Sequence, residues 1–349
     1  MPDSALPLPE RITDTEGLDE LLSRPSTAVV EVVRRLPGPL MILGVGGKMG
    51  PTLARMAVRA IEAAGSGQQV LGVSRFTEPG LREQLGGWGV RTIACDLLDE
   101  AALAVLPEAP CIVFMAGMKF GASANQPLTW AMNTFLPGLV ARRFGGSRIV
   151  AFSSGNVYPL MPVSSGGAGE EAPPDPAGEY AQSVLGRERI LAYWAGRLRT
   201  PTVLLRLNYA VELRYGVLLD VAQKVWHEEP IDVTMGHANV IWQGDANAVA
   251  LQAFTLADVP PVPLNLTGPE TISVRWLAEQ FGTLLGREPR LVGTEQPTAL
   301  LNNARRAHEC FGYPLVPLGR VITWVADWVR AGGPTLDKPT KFQVRDGRF

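Results

Sequence analysis

Residues 43–50, LGVGGKMG, form a glycine-rich turn between an apolar strand pattern and a helical pattern. Such a turn can bind a dinucleotide, because its backbone approaches the pyrophosphate closely and the free N–H groups of the helix start face the anion. The usual G-x-G-x-x-G spacing fails because Met49 replaces its last glycine, whereas Gly44-x-x-Gly47-x-x-Gly50 fits. The alternative is a glycine turn without a ligand. The predicted cofactor contacts here are Gly44, Gly47, Lys48, Met49 and Gly50.

Two further residues bear on the choice of dinucleotide. NAD enzymes normally carry a carboxylate at the end of the second strand, where it binds the ribose hydroxyls. Here Ser74 and Arg75 occupy that place, so no carboxylate repels a 2′-phosphate. The planar guanidinium of Arg75 is suited to pair with that phosphate. We therefore predict a preference for NADP, with NAD as the alternative if Arg75 is only solvated.

The elements that position these residues alternate between strand and helix. Apolar strand patterns lie at residues 40–45, 69–74, 91–94, 111–116 and 148–153, with helical patterns between them. Short, continuous apolar strands separated by helices are typical of a parallel sheet covered on both faces. The predicted fold class is α/β, a Rossmann doubly wound parallel sheet with a smaller, interleaved C-terminal substrate domain.

The same patterns set the predicted domain boundaries. They are 1–36 for an N-terminal helical extension, 37–205 for the Rossmann domain, 206–331 for the substrate-binding part and 332–349 for a C-terminal tail. Because the tail is polar and contains proline, we expect it to lie over the surface or to be disordered.

Composition excludes several function classes. The 32 Lys and Arg nearly balance the 34 Asp and Glu, so no basic face for nucleic acid is expected. No apolar run approaches the roughly 18 residues of a membrane span, and the acidic N-terminus is unlike a secretory signal. The 3 cysteines and 3 histidines lack disulfide or metal-ligand spacing. We predict no membrane partner, no metal and a cytoplasmic location.

Motifs follow the strand patterns in order. They are CDL at residues 95–97, FMAGMK at 114–119, SSGNVY at 153–158, YAQSV at 180–184, RLN at 206–208 and NVIWQGD at 239–245. This order resembles the extended short-chain dehydrogenases, the NAD(P)-dependent epimerase/dehydratase group that includes UDP-glucose 4-epimerase. The resemblance implies a cofactor site that also includes Asp96, Leu97, Met115, Ala116, Gly117, Lys119, Asn133, Tyr180 and Asn208.

The resemblance also implies a catalytic pair. The family's general acid/base is a tyrosine that begins Tyr-x-x-x-Lys, and a serine hydrogen-bonds the reacting oxygen; the matching residues are Tyr180 and Ser154. Val184 replaces the lysine that lowers the tyrosine's pKa. An unperturbed tyrosine is only about one part in a thousand phenolate at pH 7. We therefore expect carbonyl reduction, which needs the neutral phenol, to be favoured over oxidation.

Two cations are candidates to replace the missing lysine. Arg187 lies on the helical face of Tyr180 but roughly 10 Å further along the axis, so we expect it to form a surface ion pair. Lys119 follows a strand that ends beside the nicotinamide, and it is the predicted third catalytic residue. Its alternative role is a phosphate contact.

The substrate side of the motifs departs from the family. Nucleotide-sugar enzymes often have an arginine just before the segment that matches 239–245, to clamp a diphosphate, but Ala238 occupies that place. A UDP-sugar is therefore disfavoured. Aromatic side chains such as Trp242 line a pocket in one interpretation and belong to the core in the other. The predicted substrate-binding residues are Ser154, Asn156, Asn208, His237, Asn239 and Trp242.

The sequence thus predicts an NAD(P)-dependent oxidoreductase or epimerase acting on a sugar-like hydroxy or carbonyl substrate. The alternative is a non-catalytic NAD(P)-binding sensor or partner protein with the same fold. A homodimer is compatible with the family's habit of pairing through central helices and with the 19% of charged residues.

Overall fold

The computed structural model describes residues 7–119, 121–122, 124–338 and 340–348. The strands are β1 Leu40–Leu43, β2 Val70–Ser74, β3 Arg91–Ala94, β4 Cys111–Phe114, β5 Arg148–Ser154, β6 Met161–Pro162, β7 Thr202–Leu207, β8 Ala210–Val211, β9 Pro230–Asp232, β10 His237–Ala238, β11 Ile241–Trp242, β12 Val262–Leu266, β13 Ile272–Ser273, β14 Arg290–Val292 and β15 Thr298–Ala299. The α-helices are α1 Thr15–Leu22, α2 Thr27–Arg34, α3 Gly50–Ala64, α4 Leu81–Gly87, α5 Glu100–Ala104, α6 Gln126–Trp130, α7 Leu136–Arg143, α8 Gly178–Leu198, α9 Val217–Trp226, α10 Gln243–Gln252, α11 Val274–Leu285, α12 Arg305–Phe311 and α13 Leu318–Arg330.

Seven strands form one parallel sheet in the order β12-β7-β5-β4-β1-β2-β3. Strands β1 and β4 are buried along their whole length, because helices cover both faces of the sheet. The strand order reverses between these two strands, and open α/β sheets bind ligands outside the carboxyl ends at such a point. The predicted Rossmann sheet is confirmed. Its edge strand β12 comes from the C-terminal part and pairs with β7, so the two parts are interleaved.

The N-terminal extension connects two hydrophobic cores. Val29 and Val33 of α2 are buried in the core beside the sheet. Leu18 and Leu22 of α1 are buried in the C-terminal core instead, with side chains of α9, α11 and α13. In that core the Trp324 indole N–H also donates to the carbonyl oxygen of Pro9, 3.1 Å away. The extension therefore holds the sheet and the C-terminal part together.

The C-terminal tail is packed rather than loose. Thr340 and Phe342 are buried, so the prediction of a surface or disordered tail is wrong for these residues. Phe342 enters the C-terminal core. The Arg345 guanidinium donates to the carbonyl oxygen of Thr298 over 2.6 Å. Composition could not reveal this, because the tail's partners come from distant parts of the chain. Among the helices of the described residues, none is long and apolar enough to cross a membrane.

Candidate functional site

A cavity of about 440 Å³ opens at the carboxyl ends of β4, β5 and β7, next to the glycine turn. Its walls come from both halves of the protein: the turn and strand ends on one side, and the start of α9 with the tail on the other. The structure brings many predicted site residues together here. They are Gly47, Lys48, Met49, Met115, Gly117, Lys119, Ser154, Asn156, Tyr180 and Asn208.

The three motif glycines have different reasons to be glycine. Gly44 has a φ of 92°, and a Cβ on it would lie 2.6 Å from the backbone nitrogen of Ala116. A Cβ on Gly50 would clash with the carbonyl of Val45. The space around Gly47 is more open, since the atom nearest to its Cβ position, the carbonyl oxygen of Gly44, is 3.4 Å away. The chain's own packing thus demands two of the glycines, while Gly47 leaves room for a ligand.

The helix that follows the turn is suited to an anion. Helix α3 begins at Gly50, and the residue before it, Met49, gives no side-chain cap. In the first turn the Gly50 N–H donates to the carbonyl oxygen of Gly47 at 3.1 Å, and Pro51 has no N–H. The attraction for an anion therefore comes mainly from the helix dipole, which favours a negative charge there. The turn and the helix start fit the pyrophosphate of a dinucleotide.

The residues predicted to contact the adenosine half lie outside the cavity lining. Ser74 ends β2 and accepts a hydrogen bond from the Phe76 N–H at 3.4 Å. Arg75 is exposed beside it. Asp96 follows β3, is exposed and accepts a hydrogen bond from the Leu98 N–H at 3.0 Å. The buried side chains Leu97 and Ala116 pack in the core on this side of the sheet.

Arg187 is buried and does not form the surface ion pair that its position in the sequence suggested. Its guanidinium donates to the carbonyl oxygens of Phe152 and Ala116, at 2.6 and 3.0 Å, and to Asn133 Oδ1 at 3.0 Å. Asn133 also binds both backbone groups of Met118. Arg187 and Asn133 thus join the carboxyl end of β4 to that of β5 through hydrogen bonds, and these two strand ends form the cavity floor.

A local break in the helix after α6 supplies part of this network. The helical segment between β4 and β5 contains a π-helical turn at Ala131–Phe135. Pro137 follows it and has no N–H to donate to the carbonyl of Asn133 four residues earlier. The Nε of Arg187 donates to that carbonyl oxygen instead, at 3.4 Å. The break therefore leaves an acceptor that the buried arginine uses.

Tyr180 and Ser154 meet at the cavity wall. Ser154 is the last residue of β5, and Tyr180 lies in the first turn of α8. Burial raises the pKa of Tyr180, while a hydrogen bond with Ser154 and the charge of Arg187 oppose that shift. The Ser154 hydroxyl also donates to Asn156 Oδ1 at 2.9 Å. At neutral pH the phenol is therefore protonated and suited to donate a proton.

Val184 has no charge, so it cannot lower the pKa of Tyr180 as the lysine at this position does in the family. Its side chain is buried in a small apolar cluster with Val157, Tyr158 and Ala168. Lys119 supplies a cation near the phenol instead, with its Nζ 5.8 Å from the ring centroid of Tyr180. Burial lowers the pKa of Lys119 to about 8; the charge of Asp220 opposes this shift and that of Lys341 adds to it.

The rest of the cavity wall combines the predicted Lys48 with tyrosines and with a lysine of the C-terminal tail. The Lys48 ammonium donates to the carbonyl oxygen of Ala210 over 2.8 Å and lies 3.8 Å above the ring of Tyr215. Burial lowers its pKa to about 7. Tyr209 lines the same wall in a left-handed backbone conformation, with a φ of 42°. The tail adds Lys338. An aromatic pair beside the Asn208 motif was a usable signal, but the tail offered none.

The predicted substrate contacts divide into two groups. Asn208 lines the cavity, and its amide donates to Asn239 Oδ1 at 2.7 Å, so Asn239 orients it from behind. His237 pairs with β13 and does not line the cavity. Trp242 is buried against Trp324, with ring centroids 5.5 Å apart, and also lies outside it.

Comparison with known proteins agrees with this architecture. Residues 40–211 match the model of the NAD dependent epimerase/dehydratase family. Over these residues, the chain is similar to that family. The matched region of the family runs from β1 to β8, so it contains the glycine turn, Ser154 and Tyr180. No curated protein matches the chain significantly.

Solved structures of other proteins share the fold. UDP-glucose 4-epimerase from Thermotoga maritima, solved with UDP-glucose, superposes with a TM-score of 0.69 at 15% identity over 84% of this chain and 99% of its own. UDP-glucuronic acid 4-epimerase from Bacillus cereus, solved with NAD, has a TM-score of 0.69 and 16% identity. The match covers 84% of this chain and 98% of the epimerase. UDP-glucose 4-epimerase from Thermus thermophilus, solved with NAD, has a TM-score of 0.68 and 18% identity. The match covers 84% of this chain and 99% of the epimerase. At these identities the likeness shows the fold alone.

Proposed function

We propose that the protein is an NAD(P)-dependent oxidoreductase or epimerase that acts on a sugar-like hydroxy or carbonyl substrate. The observation that carries this proposal is the hydrogen-bonded pair of Tyr180 and Ser154, in the same cavity as the glycine turn. A turn for the cofactor and a proton donor for the substrate are the two parts that hydride transfer to a carbonyl requires.

The chain's own groups suggest how they act. A bound nicotinamide cofactor supplies or accepts the hydride. Tyr180 donates its phenolic proton to the carbonyl oxygen of the substrate and becomes a phenolate. For this step the Ser154 hydroxyl turns its single proton from Asn156 Oδ1 to the same oxygen, and the new hydrogen bond stabilises the charge that develops there. The Lys119 ammonium stabilises the phenolate through its charge and takes over part of the role of the absent lysine.

The cofactor preference that we propose is NADP, with NAD as the alternative. Replacing the exposed Arg75 with alanine is expected to weaken NADPH binding about tenfold, the loss of one charge-assisted contact to phosphate, and to leave NADH binding unchanged. Calorimetric titration of the wild type and the variant with NAD⁺, NADH, NADP⁺ and NADPH measures this. Arg82→Ala on α4, also exposed, is the control.

The same titration tests the proposed function. Binding of a dinucleotide supports it, and wild-type protein that binds none of the four contradicts it. If Arg75→Ala weakens NADH and NADPH binding equally, or changes neither, Arg75 makes no contact with the 2′-phosphate.

Lys119→Met is expected to lower kcat at least tenfold and to change the pH profile. Because the pKa of Lys119 is about 8, its ammonium is present below that pH and is lost above it. Activity of the wild type should therefore fall as the pH rises through about 8, and this limb should be missing in the variant. Lys224→Met on α9, outside the cavity lining, is the matched control. Unchanged turnover would exclude Lys119 as a catalytic residue.

We also infer that two copies pair and that the protein works in the cytoplasm. Large apolar side chains are exposed on neighbouring helices, among them Phe135 at 53% and Tyr193 at 54%. Covering these side chains in a homodimer would remove them from water. The three cysteines are free thiols, as a reducing compartment favours.

A further inference from the structure

Lysine is rare in this chain and concentrated at the cavity. Of the 32 basic residues, 5 are lysines and 27 are arginines. Three of the five lysines, Lys48, Lys119 and Lys338, line the one cavity that holds Tyr180. They come from the glycine turn, the loop after β4 and the C-terminal tail. Three distant segments thus bring ammonium groups to one place.

The lysines lie on the side of the cavity that faces the C-terminal half. Lys48 extends from the glycine turn to the carbonyl oxygen of Ala210 and the ring of Tyr215. Its ammonium is therefore held beside β8 and the residues that precede α9, on the C-terminal side of the cavity. Lys119 lies between the rings of Tyr180 and Tyr209, 5.8 Å from each centroid. The charges are next to the reacting groups.

Two carboxylates are close to these cations, and both are engaged elsewhere. Glu212 forms an ion pair with Arg214 at 3.1 Å. Asp220 accepts hydrogen bonds from the Thr340 N–H and hydroxyl at 2.9 and 2.5 Å. Burial lowers the pKa of Lys48 and of Lys119. Glu212 opposes the shift of Lys48 and Asp220 opposes both shifts, whereas repulsion by Lys119 and Arg214 adds to the first and repulsion by Lys341 adds to the second. The wall therefore has an excess of positive charge that a bound anion would relieve.

The tail holds its lysine at the cavity with anchors on both sides. Before Lys338, the N–H of Leu336 donates to the carbonyl oxygen of Arg214 at 3.0 Å. After it, Thr340 binds Asp220, and Arg345 binds Thr298. These contacts fix the tail across the start of α9, so Lys338 is a built part of the wall.

We propose that the substrate carries an anionic group, a carboxylate or a phosphate, that binds among Lys48, Lys119 and Lys338, so that the C-terminal tail determines substrate specificity. This inference rests on the proposed function and adds the substrate class to it. An ammonium contact to an anion is a charge-assisted hydrogen bond, and three such contacts select against an uncharged analogue.

The test uses the full chain saturated with the dinucleotide that binds best, titrated calorimetrically with D-glucose, D-glucuronate and D-glucose 6-phosphate. At least one of the charged sugars should bind tenfold or more tightly than glucose, since a single such contact is worth about tenfold. Whichever charged sugar binds more tightly identifies carboxylate or phosphate as the group. Lys338→Met should reduce the preference for the charged sugar over glucose about tenfold and leave glucose binding unchanged. Lys224→Met is the control.

Three outcomes overturn the proposal. They are equal binding of glucose and both charged sugars, full preference retained in Lys338→Met, and displacement of the charged sugars by dinucleotide when the order of addition is reversed. The last would assign the lysines to the cofactor. Because Lys338 is exposed, its variant is expected to fold. If no dinucleotide binds, the proposed function fails, but the anion titration of the unliganded chain still reports on the lysines.

Discussion

Replacing Tyr180 with phenylalanine is expected to lower kcat about a thousandfold while leaving NAD(P)H binding unchanged. Removal of a positioned general acid costs about 10² to 10⁴ in rate. Tyr180 donates the proton in the proposed reaction, and its ring, which phenylalanine keeps, fills the cavity wall. Steady-state turnover with a carbonyl substrate and calorimetric cofactor titration measure the two effects separately.

Tyr193→Phe is the matched control, because Tyr193 lies on the same helix α8 but outside the cavity lining, and phenylalanine keeps the ring that the inferred homodimer would cover. It should keep full activity. The comparison also separates the enzyme from the non-catalytic sensor. A sensor would bind cofactor equally in all forms and turn over in none, and that result would remove the catalytic proposal. Turnover that survives Tyr180→Phe would assign the proton to another group.

The direction of the reaction should depend on pH through the same residue. Burial raises the pKa of Tyr180, so the neutral phenol dominates at physiological pH. Reduction uses this form directly. Oxidation needs the phenolate, whose population rises about tenfold for each pH unit below the pKa, so the ratio of oxidation to reduction should increase as the pH rises.

Replacing Arg187 with methionine is expected to lower the free energy of unfolding by about 3 kcal/mol. The change leaves the buried carbonyls of Phe152 and Ala116 without this donor, and an unsatisfied buried group costs about 1 to 3 kcal/mol. Urea unfolding followed by circular dichroism measures the loss. Arg189→Met, exposed on the next part of α8, should change stability by no more than about 0.5 kcal/mol.

The Arg187 variant also tests what the network does for the site. Since Asn133 and Arg187 hold the loop after β4, we expect cofactor binding to weaken even at temperatures where the variant is folded. A variant as stable as the wild type would contradict the account of Arg187 as the residue that joins β4 and β5.

The fold and half of the candidate site could be predicted because their signals are local. The spacing of Gly44, Gly47 and Gly50 reports a turn and a helix start within a few residues. The apolar runs report buried parallel strands, and parallel strands bring their carboxyl ends to one edge. Gly47, Lys119 and Ser154 therefore meet in the cavity, as the order of elements implied.

The remaining contacts depend on tertiary structure that spacing does not encode. Helical periodicity put Arg187 on the face of Tyr180, but its partners Ala116 and Phe152 lie in other elements, so burial could not be inferred. The polar sequence of the tail predicted a surface or disordered segment, because its anchors, Asp220 and Thr298, are far away in the chain. Motif matching suggested Trp242 as a pocket residue, whereas in the structure it packs against Trp324, outside the cavity lining.

The edge position of β12 has a consequence for synthesis on the ribosome. Strand β7 pairs with β5 on one side and with β12 on the other. While the segment between them is being translated, β7 is an unpaired edge, and such edges recruit strands from other chains. The nascent protein cannot complete its sheet until β12 has left the exit tunnel. Aggregation during expression should therefore be most acute for products that terminate before β12.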